Sequence, residues 1–89
     1  MTAPHVVLYV TGWCPYCSRA KALLDRKGVP YTLIDIESAT GLREEMMARA
    51  GGRRTVPQIF IGDHHVGGCD DLHALEAAGS LDSLLGRTG

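Results

Sequence analysis

Residues 5–24 read HVVLYVTGWCPYCSRAKALL, and the order of residue types in this stretch decides the fold. Residues 5–10 are a β-branched and aromatic run without polar alternation, the pattern of a strand buried on both faces. Thr11 and Gly12 end that strand, and a helical pattern begins at once. Pro15 suits the first helical position, where a missing N–H costs nothing and φ is already set. Tyr16, Ala20, Leu23, Leu24 and Lys27 then recur at i, i+4, i+7, i+8 and i+11, a stripe that predicts one buried helix face. Gly28 and Pro30 stop the helix. Residues 31–36 (YTLIDI) read as a second strand, so the stretch forms a βαβ unit whose two strands run parallel.

Outward from this unit, Leu42, Met46 and Ala50 recur at helical spacing over residues 40–50, and Gly51 and Gly52 end that segment. Residues 58–61 and 64–66 are two short strands around Gly62 and Asp63, a hairpin signal. Gly67 and Gly68 lead into Asp70 and Asp71, acidic residues that favour a helix start. Leu72, Leu75, Leu81, Leu84 and Leu85 mark a last helical region, interrupted at Gly79 and Ser80. The order β-α-β-α-β-β-α predicts an α/β fold with a central four-stranded mixed sheet flanked by helices. The chain has 89 residues, with no repeat, low-complexity tract or linker, so a single domain over residues 1–89 is expected.

Nine Lys and Arg against ten Asp and Glu leave a net charge of −1, which offers no electrostatic footprint for nucleic acid or an anionic membrane. The longest apolar run, residues 6–10, is far short of the ~20 residues that span a bilayer. The first five residues lack the basic and apolar regions of a signal peptide. A soluble, cytoplasmic protein with neither nucleic-acid nor membrane partners is expected.

Three cysteines are too few and too unevenly spaced for a disulfide-stapled scaffold. Cys14 and Cys17 lie three apart, whereas Cys69 is remote. With Pro15 as the first helical residue, Cys14 is the N-cap and Cys17 lies in the first turn, on the same helix face. Unpaired N–H groups and the positive end of the helix dipole favour a thiolate at Cys14, while Cys17 should be more buried and closer to an ordinary thiol. Cys14 is thus the expected nucleophile and Cys17 the resolving thiol. Trp13 and Tyr16 flank the pair as apolar cover or as rim aromatics. A zinc site combining Cys14, Cys17 and Cys69 with His64, His65 or His73 is disfavoured, since structural zinc usually shows two closely spaced ligand pairs. No metal is expected. The histidines His5, His64, His65 and His73 have no partners evident in sequence and read as surface residues.

Cys14-Pro15-Tyr16-Cys17, the block from Thr55 through Val56, Pro57 and Gln58 to Ile61, and the block from His65 through Gly67, Gly68, Cys69, Asp70 and Asp71 to Leu72 occur in one order and spacing. In these three blocks the chain resembles the dithiol glutaredoxins of bacteria over nearly its whole length. The resemblance implies a thioredoxin-like fold in which Pro57 is cis and faces the cysteines. It implies an enzyme, a glutathione-dependent thiol–disulfide oxidoreductase that reduces glutathione mixed disulfides and protein disulfides. Glutathione is then a co-substrate, no cofactor is tightly bound, and the partners are glutathione and disulfide-containing or glutathionylated proteins. Gly68, Cys69, Asp70 and Asp71 are implied to receive the γ-glutamyl end of glutathione, at a helix N-terminus suited to a carboxylate. Tyr16, Thr55, Val56 and Pro57 are implied to meet its middle. Asp70 or Asp71 can also serve as a helix cap.

Thr11 stands where many family members carry a lysine that pairs with the glycyl carboxylate. Arg53 or Arg54 is a candidate replacement cation. Cys69 is read chiefly as a small residue in the binding loop, and secondly as a thiol open to glutathionylation. The alternatives are reduction by another low-molecular-weight thiol or a thioredoxin-type reductase, and iron–sulfur cluster transfer, against which Pro15 and Cys17 count. A monomer is expected.

Overall fold

In the computed structural model, which describes residues 4–86, the opening strand is β1 (Val6–Val10) and lies inside the sheet. It pairs in parallel with β2 (Thr32–Asp35) and antiparallel with β3 (Gln58–Ile61), which pairs antiparallel with β4 (His64–Gly67). The order β2-β1-β3-β4 is the expected four-stranded mixed sheet. The central place of β1 explains its unbroken apolar run, because alternate side chains point to opposite faces and both faces are covered.

Val6, Leu8 and Val10 pack with Ala20, Leu23 and Leu24 of α1 (Pro15–Arg26), with Leu72 of α3 (Cys69–Ala77) and with Leu81 of α4 (Ser80–Leu84). Tyr9 points the other way, into a smaller cluster with Phe60 and with Met46 of α2 (Leu42–Arg49). Leu8 and Leu24 are fully buried, and each contributes about 1.5–3 kcal/mol by leaving water. Lys27, just beyond α1, reaches Glu76 at 2.8 Å and Asp82 at 2.9 Å, tying the end of that helix to α3 and α4.

On the α2 side, Tyr9 donates its hydroxyl to Glu45 Oε2 at 2.7 Å and accepts from Arg49 Nη1 at 2.8 Å. The Arg49 guanidinium also lies 4.3 Å from the Phe60 ring centre. Burial, then the hydrogen bond to Glu45, pushes ionisation of the Tyr9 phenol upward, so the hydroxyl stays a donor at neutral pH. Tyr9→Phe is expected to lower stability by about 1 kcal/mol, read by chemical denaturation, with turnover unchanged.

The expected helical stripe needs one correction. Tyr16 is 56% exposed, and Cys17 at 2% takes its place in the core beside Ala20, Leu23 and Leu24. Adjacent residues on a helix point about 100° apart, so with Cys17 turned into the core Tyr16 faces the groove. The last helical region is two helices, because Gly79 adopts φ 77° between them. Element ends differ from expectation by one or two residues, as at β2, which omits Tyr31 and Ile36. Among the described residues no helix is long and apolar enough to cross a membrane.

Candidate active site

Three chain segments meet beyond the β1 end of the sheet. Cys14 caps α1 with extended backbone (φ −155°, ψ 105°), and its Sγ accepts the Cys17 N–H at 3.1 Å. Negative charge on that sulfur would be met by this donor and by the helix N-terminus. Cys14 is half-buried, whereas Cys17 lies beneath it in the core. Burial, reinforced by the hydrogen bond to Cys14, pushes the Cys17 thiol up to about 12. At neutral pH Cys17 is therefore a protonated thiol behind an accessible sulfur. The Thr11 hydroxyl donates to the Trp13 carbonyl at 3.4 Å and supplies no charge.

The second segment precedes β3. Val56–Pro57 is cis, as the resemblance implied, and the Val56 carbonyl oxygen lies 3.8 Å from Cys14 Sγ. The third is the entry to α3. Gly68 donates its N–H to Asp71 Oδ2 at 2.9 Å, and Arg53 Nη1 donates to the same oxygen at 3.1 Å. These two donors, Gly68 first, hold the Asp71 carboxyl below the usual carboxylate range. Asp71 is thus a helix cap that keeps a face toward the groove. Gly67 has φ 114°, and a Cβ there would run into Asp71 and come within 2.7 Å of Arg53 Nη1. A side chain at this position would break the arrangement.

A groove of about 220 Å³ joins the segments, lined by Tyr16, Arg53, Thr55, Val56, Pro57, Gly68, Cys69, Asp70 and Asp71. These nine are the residues expected to contact glutathione, drawn from three separate stretches of sequence. Arg54 is exposed and does not line the groove. Trp13 is 85% exposed and does not line the groove. Cys69 is buried, and burial followed by the charge of Asp70 pushes its thiol up. Among the described residues, no three His, Cys, Asp or Glu side chains form a cluster that could hold a metal ion.

His5 and His64 are exposed, as the surface reading expects, whereas His65 and His73 are half-buried. His5 lies 3.0 Å from Thr32 Oγ1, and His73 Nδ1 lies 2.9 Å from the Cys69 carbonyl. His65 is half-buried, 2.7 Å from Gln58 Oε1 and stacked on Phe60 with ring centres 4.9 Å apart. Gln58, fully buried, has no counterpart among the sequence-derived candidates. Its only signal was its place directly after Pro57.

The glutaredoxin family model matches residues 6–66. A glutaredoxin of Pseudomonas aeruginosa is 62% identical over 82 residues, covering 92% of this chain and 96% of that one. The solution structure of a Brucella melitensis glutaredoxin superposes with a TM-score of 0.83 at 54% identity, over 100% of this chain and 98% of that chain. A crystal structure of a buckwheat glutaredoxin–glutathione complex gives 0.84 at 33% identity, over 94% and 77% of the two chains. Motif order, sheet topology and these relatives agree, and the chain belongs to the glutaredoxin family of glutathione-dependent thiol–disulfide oxidoreductases.

Proposed function

We propose that this enzyme uses Cys14 as its nucleophile and Cys17 as its resolving thiol, with glutathione bound along the groove beside them. One observation carries the reading: an accessible sulfur at a helix N-cap, with a protonated buried thiol one turn behind it. The Cys14 thiolate attacks the glutathionyl sulfur of a mixed disulfide, and the substrate thiolate leaves and takes up a proton. A second glutathione thiolate then attacks the same sulfur, releasing glutathione disulfide and the Cys14 thiolate. With a protein disulfide, Cys14 forms a mixed disulfide with the substrate. Cys17 loses its proton and attacks Cys14 Sγ, the reduced protein leaves, and two glutathiones reduce the Cys14–Cys17 disulfide. The two steps require deprotonated sulfur at different moments, which suits two thiols held in different environments.

In this reading the entry to α3 receives the γ-glutamyl end through Gly68, Cys69, Asp70 and Asp71. Tyr16, Thr55, Val56 and Pro57 border the middle of the peptide. Arg53 replaces the missing lysine opposite the glycyl carboxylate. Its ion pair with Asp71 is about half exposed on both sides; such surface pairs are worth about 0–1 kcal/mol. A ligand carboxylate can therefore recruit Arg53 at little cost. Arg53→Ala is expected to raise KM for a small glutathione mixed disulfide about three- to tenfold with kcat nearly unchanged, less than a buried charge-assisted hydrogen bond contributes because the guanidinium is half exposed and screened by solvent. An unchanged KM would remove Arg53 from the site. One domain, a monomeric state, a cytoplasmic location and catalysis without a tightly bound cofactor belong to the same reading.

The test is turnover of a small glutathione mixed disulfide with glutathione and glutathione reductase, compared with a thioredoxin-type reductase or another low-molecular-weight thiol as the electron source. Turnover with the glutathione system is the expected result. Turnover confined to the other sources would overturn the glutathione assignment while leaving the cysteine chemistry in place.

A further inference from the structure

Gln58 is the only amide or charged residue among the described buried residues, and it is fully enclosed. Buried amides are retained where each polar atom has a partner, and here each does. Gln58 Nε2 lies 2.9 Å from the Thr55 carbonyl oxygen and 3.1 Å from Thr55 Oγ1. A carbonyl only accepts, so the nitrogen end of the amide must face Thr55. The oxygen end then faces His65, whose Nε2 is 2.7 Å away. An amide oxygen only accepts, so His65 must carry a proton on Nε2. Two fixed acceptors thus determine both the amide orientation and the imidazole tautomer.

His65 is held for this task. It is the cross-strand partner of Phe60 in the β3–β4 pair, next to the irregular register between Ile59 and Phe60. Its ring stacks on Phe60 at an interplanar angle of 24°. Alternation along β3 puts Gln58 on the same face of the sheet as Phe60. At the far end of the chain of bonds, Thr55 and Val56 line the groove, and the Val56 carbonyl stands 3.8 Å from Cys14 Sγ.

We propose that His65 is a positioning residue for the reaction: through Gln58 it fixes the Thr55–Val56 backbone where that segment borders the glutathione groove beside Cys14. The inference rests on the glutathione reading of the groove. His65 itself does not line the groove. Without the Nε2–H donor, Gln58 Oε1 is left buried and unpaired, and the amide turns or shifts to find another donor. Its two bonds to Thr55 are then weakened, and the groove wall loosens. This impairs binding more than the chemical step, because Cys14 and Cys17 are held by α1.

The test compares His65→Phe, which retains a ring to stack on Phe60 but has no donor, with His65→Gln, whose amide nitrogen reaches about as far as Nε2. His65→Phe is expected to raise KM for a small glutathione mixed disulfide about three- to tenfold with kcat within about twofold, the effect of one or two lost neutral hydrogen bonds. His65→Gln is expected to restore KM to within about twofold of the unsubstituted protein, an effect that general loosening of the fold would not produce. Nitrogen-15 spectra of the unsubstituted protein should show the Nε2-protonated neutral tautomer for His65, a reading that needs no variant to fold. An unchanged KM in His65→Phe, failure of His65→Gln to restore it, or an Nδ1-protonated tautomer would each overturn the proposal. An unsubstituted protein inactive toward glutathione mixed disulfides would overturn the glutathione reading, and this inference with it. Full activity with KM unmoved by His65→Phe overturns this inference alone.

Discussion

Replacing Cys14 with serine is expected to lower turnover of both glutathione mixed disulfides and protein disulfides by on the order of 1,000-fold or more. Serine retains the helix-cap geometry, since an oxygen can accept the Cys17 N–H as sulfur does. The fold should therefore survive, and the loss reports chemistry. A hydroxyl is a far weaker nucleophile toward disulfide sulfur at neutral pH and cannot form the mixed disulfide. The remaining thiols do not substitute for it. Cys17 is in the core with its thiol pushed up to about 12, and Cys69 is buried with its thiol pushed up by burial and Asp70. Substantial residual turnover in a folded Cys14→Ser protein, measured in the coupled glutathione reductase assay, would move the nucleophile elsewhere.

Replacing Cys17 with serine should divide the two activities. Deglutathionylation needs only Cys14 and external glutathione, so its rate is expected to stay within about threefold of the unsubstituted enzyme. Reduction of a protein disulfide needs an internal thiol to release the mixed disulfide, and should fall by about 100-fold or more at low glutathione. The magnitude follows from proximity. The Cys17 thiol is hydrogen-bonded to Cys14 from the first turn of the same helix, so it competes at a high effective concentration with any thiol from solution. A gel of the variant incubated with a protein disulfide should show an accumulating mixed disulfide. Equal loss of both activities would mean that Cys17 has a structural task in the core and no separate resolving role.

What sequence disclosed about this molecule depended on how local each feature is. The strand-to-helix turn with Cys14 at its cap was legible because three residues within four positions, Cys14, Pro15 and Cys17, each carry a backbone or chemical preference that agrees with the others. The burial of β1 was legible from its unbroken apolar run. The meeting of Cys14 with Val56, 42 positions apart, was not available from periodicity and entered only through the resemblance to glutaredoxins. Tyr16 shows the limit of pattern reading: it fits the helical stripe but is exposed and lines the groove, while Cys17 beside it fills the core. Gln58 and His65 show a second limit. Their hydrogen bond depends on a cross-strand register with an irregularity beside Phe60, and nothing in a short polar–apolar pattern fixes such a register. Arg53 and Arg54 are adjacent and chemically identical, and only the course of the loop decides which of them lines the groove.

The most direct test is to stop the Cys17→Ser enzyme during turnover of a glutathione mixed disulfide, digest it, and locate the bound glutathione by mass spectrometry. Glutathione on the peptide containing Cys14, with Cys69 unmodified, is the predicted result. Glutathione on Cys69 with Cys14 left as a free thiol would contradict the assignment of the nucleophile to the α1 cap.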